Sequence, residues 1–188
     1  NLRRSGLNTM NMKPGDSLVS VVLAQSVDDI VIVTRNGMSI RFPSEGIRPR
    51  QRAAGGMKGI TMMPRDKVAA MDVVPADDEN TRLLIATRKG FGKLSQLRHY
   101  RQQKRGGKGL ITLKLTSKNG KISAAQVIAE EDKLYLVTEQ AQLIHIPLEE
   151  VRQTGRNTQG VRLARMDSSD SVSAIRAVGA RRTPADEL

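Results

Sequence analysis

Asp29-Ile30-Val31-Ile32-Val33-Thr34, Arg82-Leu83-Leu84-Ile85-Ala86-Thr87 and Lys133-Leu134-Tyr135-Leu136-Val137-Thr138 are three versions of one phrase, and their reading decides the fold. Each is an apolar burst of about six residues without helical spacing, bounded by turn residues, and so reads as a strand. Each is followed by a turn signal and a second short strand: Asn36-Gly37 before Met38 to Phe42, Lys89-Gly90 before Phe91 to Leu94, and Gln140-Ala141 before Gln142 to Ile146. Asn-Gly is the strongest hairpin signal, because both residues tolerate the positive φ of a type I′ turn. Helical signals are thin, with no capped amphipathic window beyond a possible turn at Pro147 to Val151.

Outward from these phrases the chain repeats itself. Thr34, Thr87 and Thr138 close the first strand of each unit, and Gly59, Gly109 and Gly160 open a later one, both markers recurring about every 50 residues. The order in each unit is strand, turn, strand, basic loop, glycine, strand, turn, strand. The later pairs are Ile60 to Met63 with Val68 to Val74, Leu110 to Leu115 with Lys121 to Ile128, and Val161 to Arg165 with Val172 to Val178. Four strands per unit at this period predict an all-β, propeller-like architecture of four-stranded blades, each covered by its neighbours. Gly6 to Leu23 fits only the second half of a unit. The expected division is therefore 1–25, the second half of a preceding blade, then blades at 26–76, 77–129 and 130–180, and a disordered tail at 181–188. A half blade and three whole ones are few for a closed ring, so an open arc or part of a larger toroid is expected. The first residue is Asn1 and the chain opens inside a repeat, so a piece of something longer is also expected.

The 188 residues include 31 Lys and Arg against 19 Asp and Glu, a net charge of +12 that points to a polyanionic partner. The absence of cysteine excludes disulfide scaffolds, thiolate zinc sites and cysteine nucleophiles. No apolar run approaches the roughly 20 residues of a membrane span, and no signal peptide opens the chain. The expectation is a soluble, intracellular protein without a membrane partner.

The chemistry lies in the loop between the second and third strands of each unit. Its fullest form is Gln103-Lys104-Arg105-Gly106-Gly107-Lys108-Gly109, preceded by Arg101. Gly106 and Gly107 can take positive φ and carry no side chain, so phosphate could reach the backbone N–H groups while Lys104, Arg105 and Lys108 neutralise it and Gln103 adds a neutral donor. Related loops carry Arg48, Arg50, Arg52 and Lys58 in the first unit, and Arg152, Arg156 and Arg162 in the third. Taken alone, any one of them reads as a solvated inter-strand loop. Their recurrence on a strongly basic chain reads as a row of phosphate contacts along one rim. A P-loop is excluded, because the glycine spacing and the following Ser or Thr are missing and a strand follows rather than a helix.

Gln103 to Gly109 resembles the gyrase A box, Q-R-R-G-G-K-G, with Lys104 in place of an arginine. The units resemble the blades of the C-terminal domain of the DNA gyrase A protein, from about Gly6 to Val178, and Thr154 to Leu163 resembles that domain's last blade. The resemblance implies the C-terminal half of a roughly six-bladed β-pinwheel that wraps duplex DNA and supports ATP-dependent negative supercoiling. It implies bacterial, cytoplasmic, chromosome-associated localisation, with the rest of the gyrase A protein and, through it, the gyrase B protein as partners. The box lies in the middle of three whole units rather than in a first blade, so it reads as a second box. Lys104 keeps the charge but loses the planar fork of arginine. The alternatives are the equivalent domain of topoisomerase IV, with degenerate boxes, and a propeller-like scaffold for an acidic protein.

Other residues carry weaker signals. In the family the cleaving tyrosine belongs to the N-terminal part of the gyrase A protein, so Tyr100 reads as a loop anchor beside the box, and Tyr135 reads as core. His99 and His145 have no carboxylate pattern around them, and Asp77-Asp78-Glu79 reads as a solvated connection between blades. The expectation is a non-catalytic chain with no metal and no cofactor, within a parent enzyme of the type IIA topoisomerases. Four aromatic residues, Phe42, Phe91, Tyr100 and Tyr135, are too scattered for a single-strand stacking platform, which favours duplex.

Overall fold

The computed structural model describes residues 7–52, 54–76 and 80–179. These residues form eleven strands and three single-turn 3-10 helices, with no α-helix among them. The three apolar phrases are β1 (Asp29–Thr34), β4 (Arg82–Thr87) and β8 (Lys133–Thr138). Each turns back into an antiparallel partner, β2 (Met38–Pro43), β5 (Phe91–Gln96) and β9 (Leu143–Pro147). The recurring threonine has a local cause. Thr34, Thr87 and Thr138 are buried, and each Oγ1 accepts the backbone N–H four residues on, from Met38, Phe91 and Gln142. Only Gly37 of the Asn36-Gly37 pair takes positive φ, so this is a loop closed by one left-handed residue and not the expected type I′ turn.

The other strands are β3 (Val68–Val74), β6 (Leu110–Ile111), β7 (Ile122–Ile128), β10 (Val161–Arg162) and β11 (Val172–Val178). The sheets run β3-β1-β2-β6, β7-β4-β5-β10 and β11-β8-β9. Sheets and sequence repeats are thus out of phase by one strand. The short strand after Gly109 leaves its own unit and pairs with β2 of the unit before, and the strand after Gly160 does the same with β5. The third sheet has three strands rather than four. The strand expected at Ile60 to Met63 does not form, nor does any strand over residues 7–25. In the pattern set by β6 and β10, residues 60–63 would need the outer edge of a preceding hairpin, and no such hairpin is among the described residues. Asp77 to Glu79 and residues 181–188, the expected acidic connection and tail, lie outside them.

Alternation along each strand supplies both faces of the core. Leu83 and Ile85 of β4 pack on Val31 and Val33 of β1, while Leu84 and Ala86 pack on Leu134 and Leu136 of β8. A middle sheet covered on both faces needs an unbroken apolar run, and residues 83–86 provide it. Side chains also tie the sheets together along β3, β7 and β11. Asp72 Oδ2 accepts the Val127 N–H at 2.7 Å, and the Gln126 amide both donates to and accepts from the Ala177 backbone. Ser20 donates to the Met71 carbonyl, which places the N-terminal segment at the next step of the same series. Tyr135 departs from the expected core position: it points off the outer face of the third sheet and stacks on exposed His145, ring centroids 5.1 Å apart.

Candidate nucleic-acid interface

The second basic loop starts at the 3-10 turn Leu97–His99 that ends β5. Tyr100 anchors it: the ring is buried and its hydroxyl lies 2.7 Å from Thr112 Oγ1. Burial raises the phenol's pKa, so the group stays neutral and bonded within the core, as a loop anchor requires. The loop then crosses to the preceding blade, where the Gln103 backbone N–H donates to the Arg41 carbonyl at 2.8 Å. A polar knot fixes this crossing. Asp29 accepts Arg41 Nε at 2.6 Å and Gln102 Nε2 at both oxygens, and Arg41 Nη1 donates to the Leu97 carbonyl.

The glycines of the box serve this docking. The expected opening of the Gly106 and Gly107 N–H groups to phosphate does not occur, because both are engaged, the first on the Gly59 carbonyl at 2.7 Å and the second on that of Lys104 at 3.2 Å. Only Gly106 of the two takes positive φ. Thr61 binds both of their carbonyls, through Oγ1 to Gly106 and through N–H to Gly107. At Gly107 an added Cβ would lie 3.5 Å from Ile40 Cδ1, and at Gly109 it would meet the Ser39 carbonyl at 2.4 Å. The backbone cradle is therefore replaced by a close seam between neighbouring loops. Gln103 is no outward donor either: its side chain is half-buried, and Nε2 has no partner among the described residues.

The cations stay outside. Arg101, Lys104, Arg105 and Lys108 are exposed, and so are Arg48, Arg50, Arg52 and Lys58 of the first loop and Arg152 and Arg162 of the third, while Arg156 is half-buried. Two arginines also stitch the loops together. Arg105 Nη1 donates to the Lys58 carbonyl at 2.8 Å, and Arg156 Nη1 donates to the Ile111 carbonyl. The Lys114 N–H donates to the Thr158 carbonyl, so the second unit holds the third loop as well as the first. The three loops are consequently joined in sequence, as a row requires.

Sequence reasoning missed Lys93, the counterpart in β5 of Ile40 in β2. Lys93 is fully buried, and its Nζ donates to the carbonyls of Gly155 and Arg156 at 2.6 and 2.5 Å and to Thr158 Oγ1 at 3.2 Å. Desolvation, with the charge of Arg156 second, lowers its pKa to about 8. The third loop lacks the glycine pair of the second and is held from beneath by this cation. The only signal in the sequence is a lysine inside a strand, between Gly92 and Leu94. No three His, Asp or Glu side chains gather among the described residues, and none of their helices is long and apolar enough to cross a membrane.

The repeated blades and joined basic loops have counterparts in known proteins. The family model described as DNA gyrase C-terminal domain, beta-propeller, matches residues 1–25, 28–75, 81–129 and 132–178. The chain belongs to the DNA gyrase C-terminal domain family. Among its curated relatives are the DNA gyrase A proteins of Deinococcus deserti, 39% identical over 92% of the chain and 22% of that protein, and of Mycolicibacterium smegmatis, 36% identical over 92% and 20%. The chain thus spans about a fifth of the length of these relatives. Among solved structures, the C-terminal domain of DNA topoisomerase IV superposes with a TM-score of 0.87 at 24% identity, covering 96% of this chain and 56% of that one. A DNA gyrase A C-terminal domain superposes at 0.84 and 22%, covering 93% and 58%. At such identities the superpositions show the shared fold, the all-β propeller-like architecture expected for this gyrase-type domain.

Proposed function

We propose that the chain binds duplex DNA along its row of basic loops, through backbone phosphates and without base readout, and bends the duplex around the rim. The observation that carries this reading is the joining of three basic loops by Arg105, Arg156 and the Lys114 amide, with most of their other cations left in solvent. A fixed row of cations suits a bent polyanion if the row follows the rim, because smooth bending of 20–30 bp by 40–90° costs on the order of 1–6 kcal/mol and several phosphate contacts offset it. The phosphates are met by side chains rather than by a glycine cradle. In the parent protein this module would wrap DNA beside the rest of the gyrase A protein and, through it, the gyrase B protein, in the bacterial cytoplasm, and support ATP-dependent negative supercoiling. The fragment itself would carry no catalytic residue and no cofactor. The near-intact box at Gln103 to Gly109 favours gyrase over topoisomerase IV.

Closing a relaxed, nicked plasmid with ligase in the presence of the chain tests the bending. The expected outcome is a shift in linking number that grows with protein concentration. No shift, together with retention of an acidic protein instead of DNA, would favour the scaffold reading.

A further inference from the structure

A second cationic surface adjoins the row of loops, at the hairpin-turn end of the middle blade. Residues 114–121 lie between β6 and β7, in a loop built around a buried side chain. Asn119 is 1% exposed; its Oδ1 accepts the Thr116 N–H, and its Nδ2 donates to the carbonyls of Lys114 and Gln159 at 3.0 and 2.9 Å. The Gly120 N–H donates to the Thr116 carbonyl, and the Lys114 N–H to that of Thr158. The loop is therefore closed on itself and fastened to the third basic loop. From this frame Lys114, Lys118 and Lys121 all project into solvent, and Lys89 lies against the loop with Nζ on the Ser117 carbonyl.

Lys118 shares an aromatic ring with Arg162 of the third basic loop. Lys118 Nζ lies 5.8 Å from the centre of the Phe91 ring and Arg162 Cζ lies 5.1 Å from the same centre, so their separation cannot exceed the sum of those distances. Neither forms an ion pair with a carboxylate among the described residues. Like charges near one another without a counterion repel, and a phosphate beside them relieves that repulsion. The corresponding segments of the other units are less basic: residues 61–67 are shorter and carry Arg65 and Lys67 with Asp66, and residues 163–171 carry Arg165 with Asp167 and Asp170. The opposite end of the sheets carries Glu45, Asp132, Glu149 and Glu150 against Arg98 and Lys133. The field is thus asymmetric across the rim.

We propose that loop 114–121, with Arg162, is a second phosphate-binding surface that draws the duplex toward the hairpin-turn side of the rim. The inference rests on the duplex-binding reading and adds a side to it. The sugar-phosphate backbone of duplex DNA is the ligand class, since three lysines without aromatic interleaving offer charge and no base readout.

The test is affinity of the full 188-residue chain for a duplex of about 40 bp, measured against salt. Lys114→Gln, Lys118→Gln and Lys121→Gln together should weaken binding roughly tenfold or more and reduce the slope of log K against log salt by about 0.9 for each phosphate no longer neutralised. Arg98→Gln with Lys133→Gln, at the opposite end, should change neither. Because the chain has no cysteine, Lys118→Cys and Glu149→Cys can each carry a tethered cleavage reagent; the first should cut the bound duplex and the second should not. An unchanged slope for the lysine variant, or equal cutting from both tethers, overturns the proposal. If Lys104→Ala, Arg105→Ala and Lys108→Ala together still flatten the slope in that case, duplex binding by the box survives. If neither triple variant matters, both readings fall.

Discussion

The seam between a basic loop and the blade before it is built in two ways. Where the second loop meets β2, the contact is Gly107 against Ile40, and the loop is held by backbone bonds to residues 59 and 61 and by the Thr61 hydroxyl. Where the third loop meets β5, Thr158 stands in place of the glycine and Lys93 in place of the isoleucine, and a buried ammonium group binds two carbonyls and a hydroxyl. At this point the first seam relies on close approach and apolar contact beside its Asp29 knot, the second on a desolvated charge whose donors are all used. A loop can therefore keep its place in the row after losing its glycines, if the strand beneath supplies the missing fastening.

The largest effect that would break the first seam comes from Gly109→Ala. The residue has a φ of +77, and a Cβ would lie 2.4 Å from a backbone oxygen. Thermal melts should show a loss of about 2–4 kcal/mol. Gly155→Ala in the third loop meets no atom within 4 Å and should stay within about 0.5 kcal/mol. Next in size is Lys93→Met, which removes the ammonium from the Arg156 carbonyl and leaves the Gly155 carbonyl to the Thr158 hydroxyl alone, and should cost about 1–3 kcal/mol. The comparison is sharpened by Lys93→Ile with Thr158→Gly, which copies the first seam into the second; denaturant titrations should show the pair less destabilised than the sum of its single changes.

A smaller effect follows from the titration of Lys93. Its pKa is about 8 in the fold against an ordinary value of 10.5, so between these values the unfolded chain binds more protons than the folded one. Stability contributed by this site therefore rises as pH increases through about 8 toward 10.5, and the burial penalty of the charged form is fully present below that window. The melting temperature of the wild type, referenced to Lys93→Met, should climb over that range. A flat difference would mean that the ammonium is not desolvated.

Much of this architecture is legible in the sequence because it rests on local chemistry. The threonines that close each hairpin act within a few residues of their own position, while the apolar run at 83–86 and the glycine before each short strand are marked by residue type although their contacts lie in neighbouring units. The exchange of β6 and β10 between repeats is not legible, since a strand of given pattern pairs equally well with its own unit or with a neighbour. Lys93 is hidden for a related reason: its acceptors are more than 60 residues away along the chain. In the box, glycine content suggests the wrong task for the glycines, because only the fold reveals that Gly106 spends its amide on the Gly59 carbonyl across the seam and Gly107 on the Lys104 carbonyl within the loop. The apolar strand around Tyr135 misleads in the same way, because Tyr135 alternates with Leu134 and Leu136, which take the side that packs on the middle sheet.

If the loop cations, and not the box backbone, contact duplex phosphate, the salt dependence of binding must follow the side chains. The most direct test is duplex affinity against salt concentration for the wild type, for Lys104→Ala with Arg105→Ala and Lys108→Ala, and for Gly106→Ala, which adds no close backbone contact. The triple variant should lower the slope of log K against log salt by about 2–3, while Gly106→Ala, whatever it costs in stability, should keep the wild-type slope. A triple variant with the wild-type slope would remove the box cations from the interface and contradict this reading of the rim.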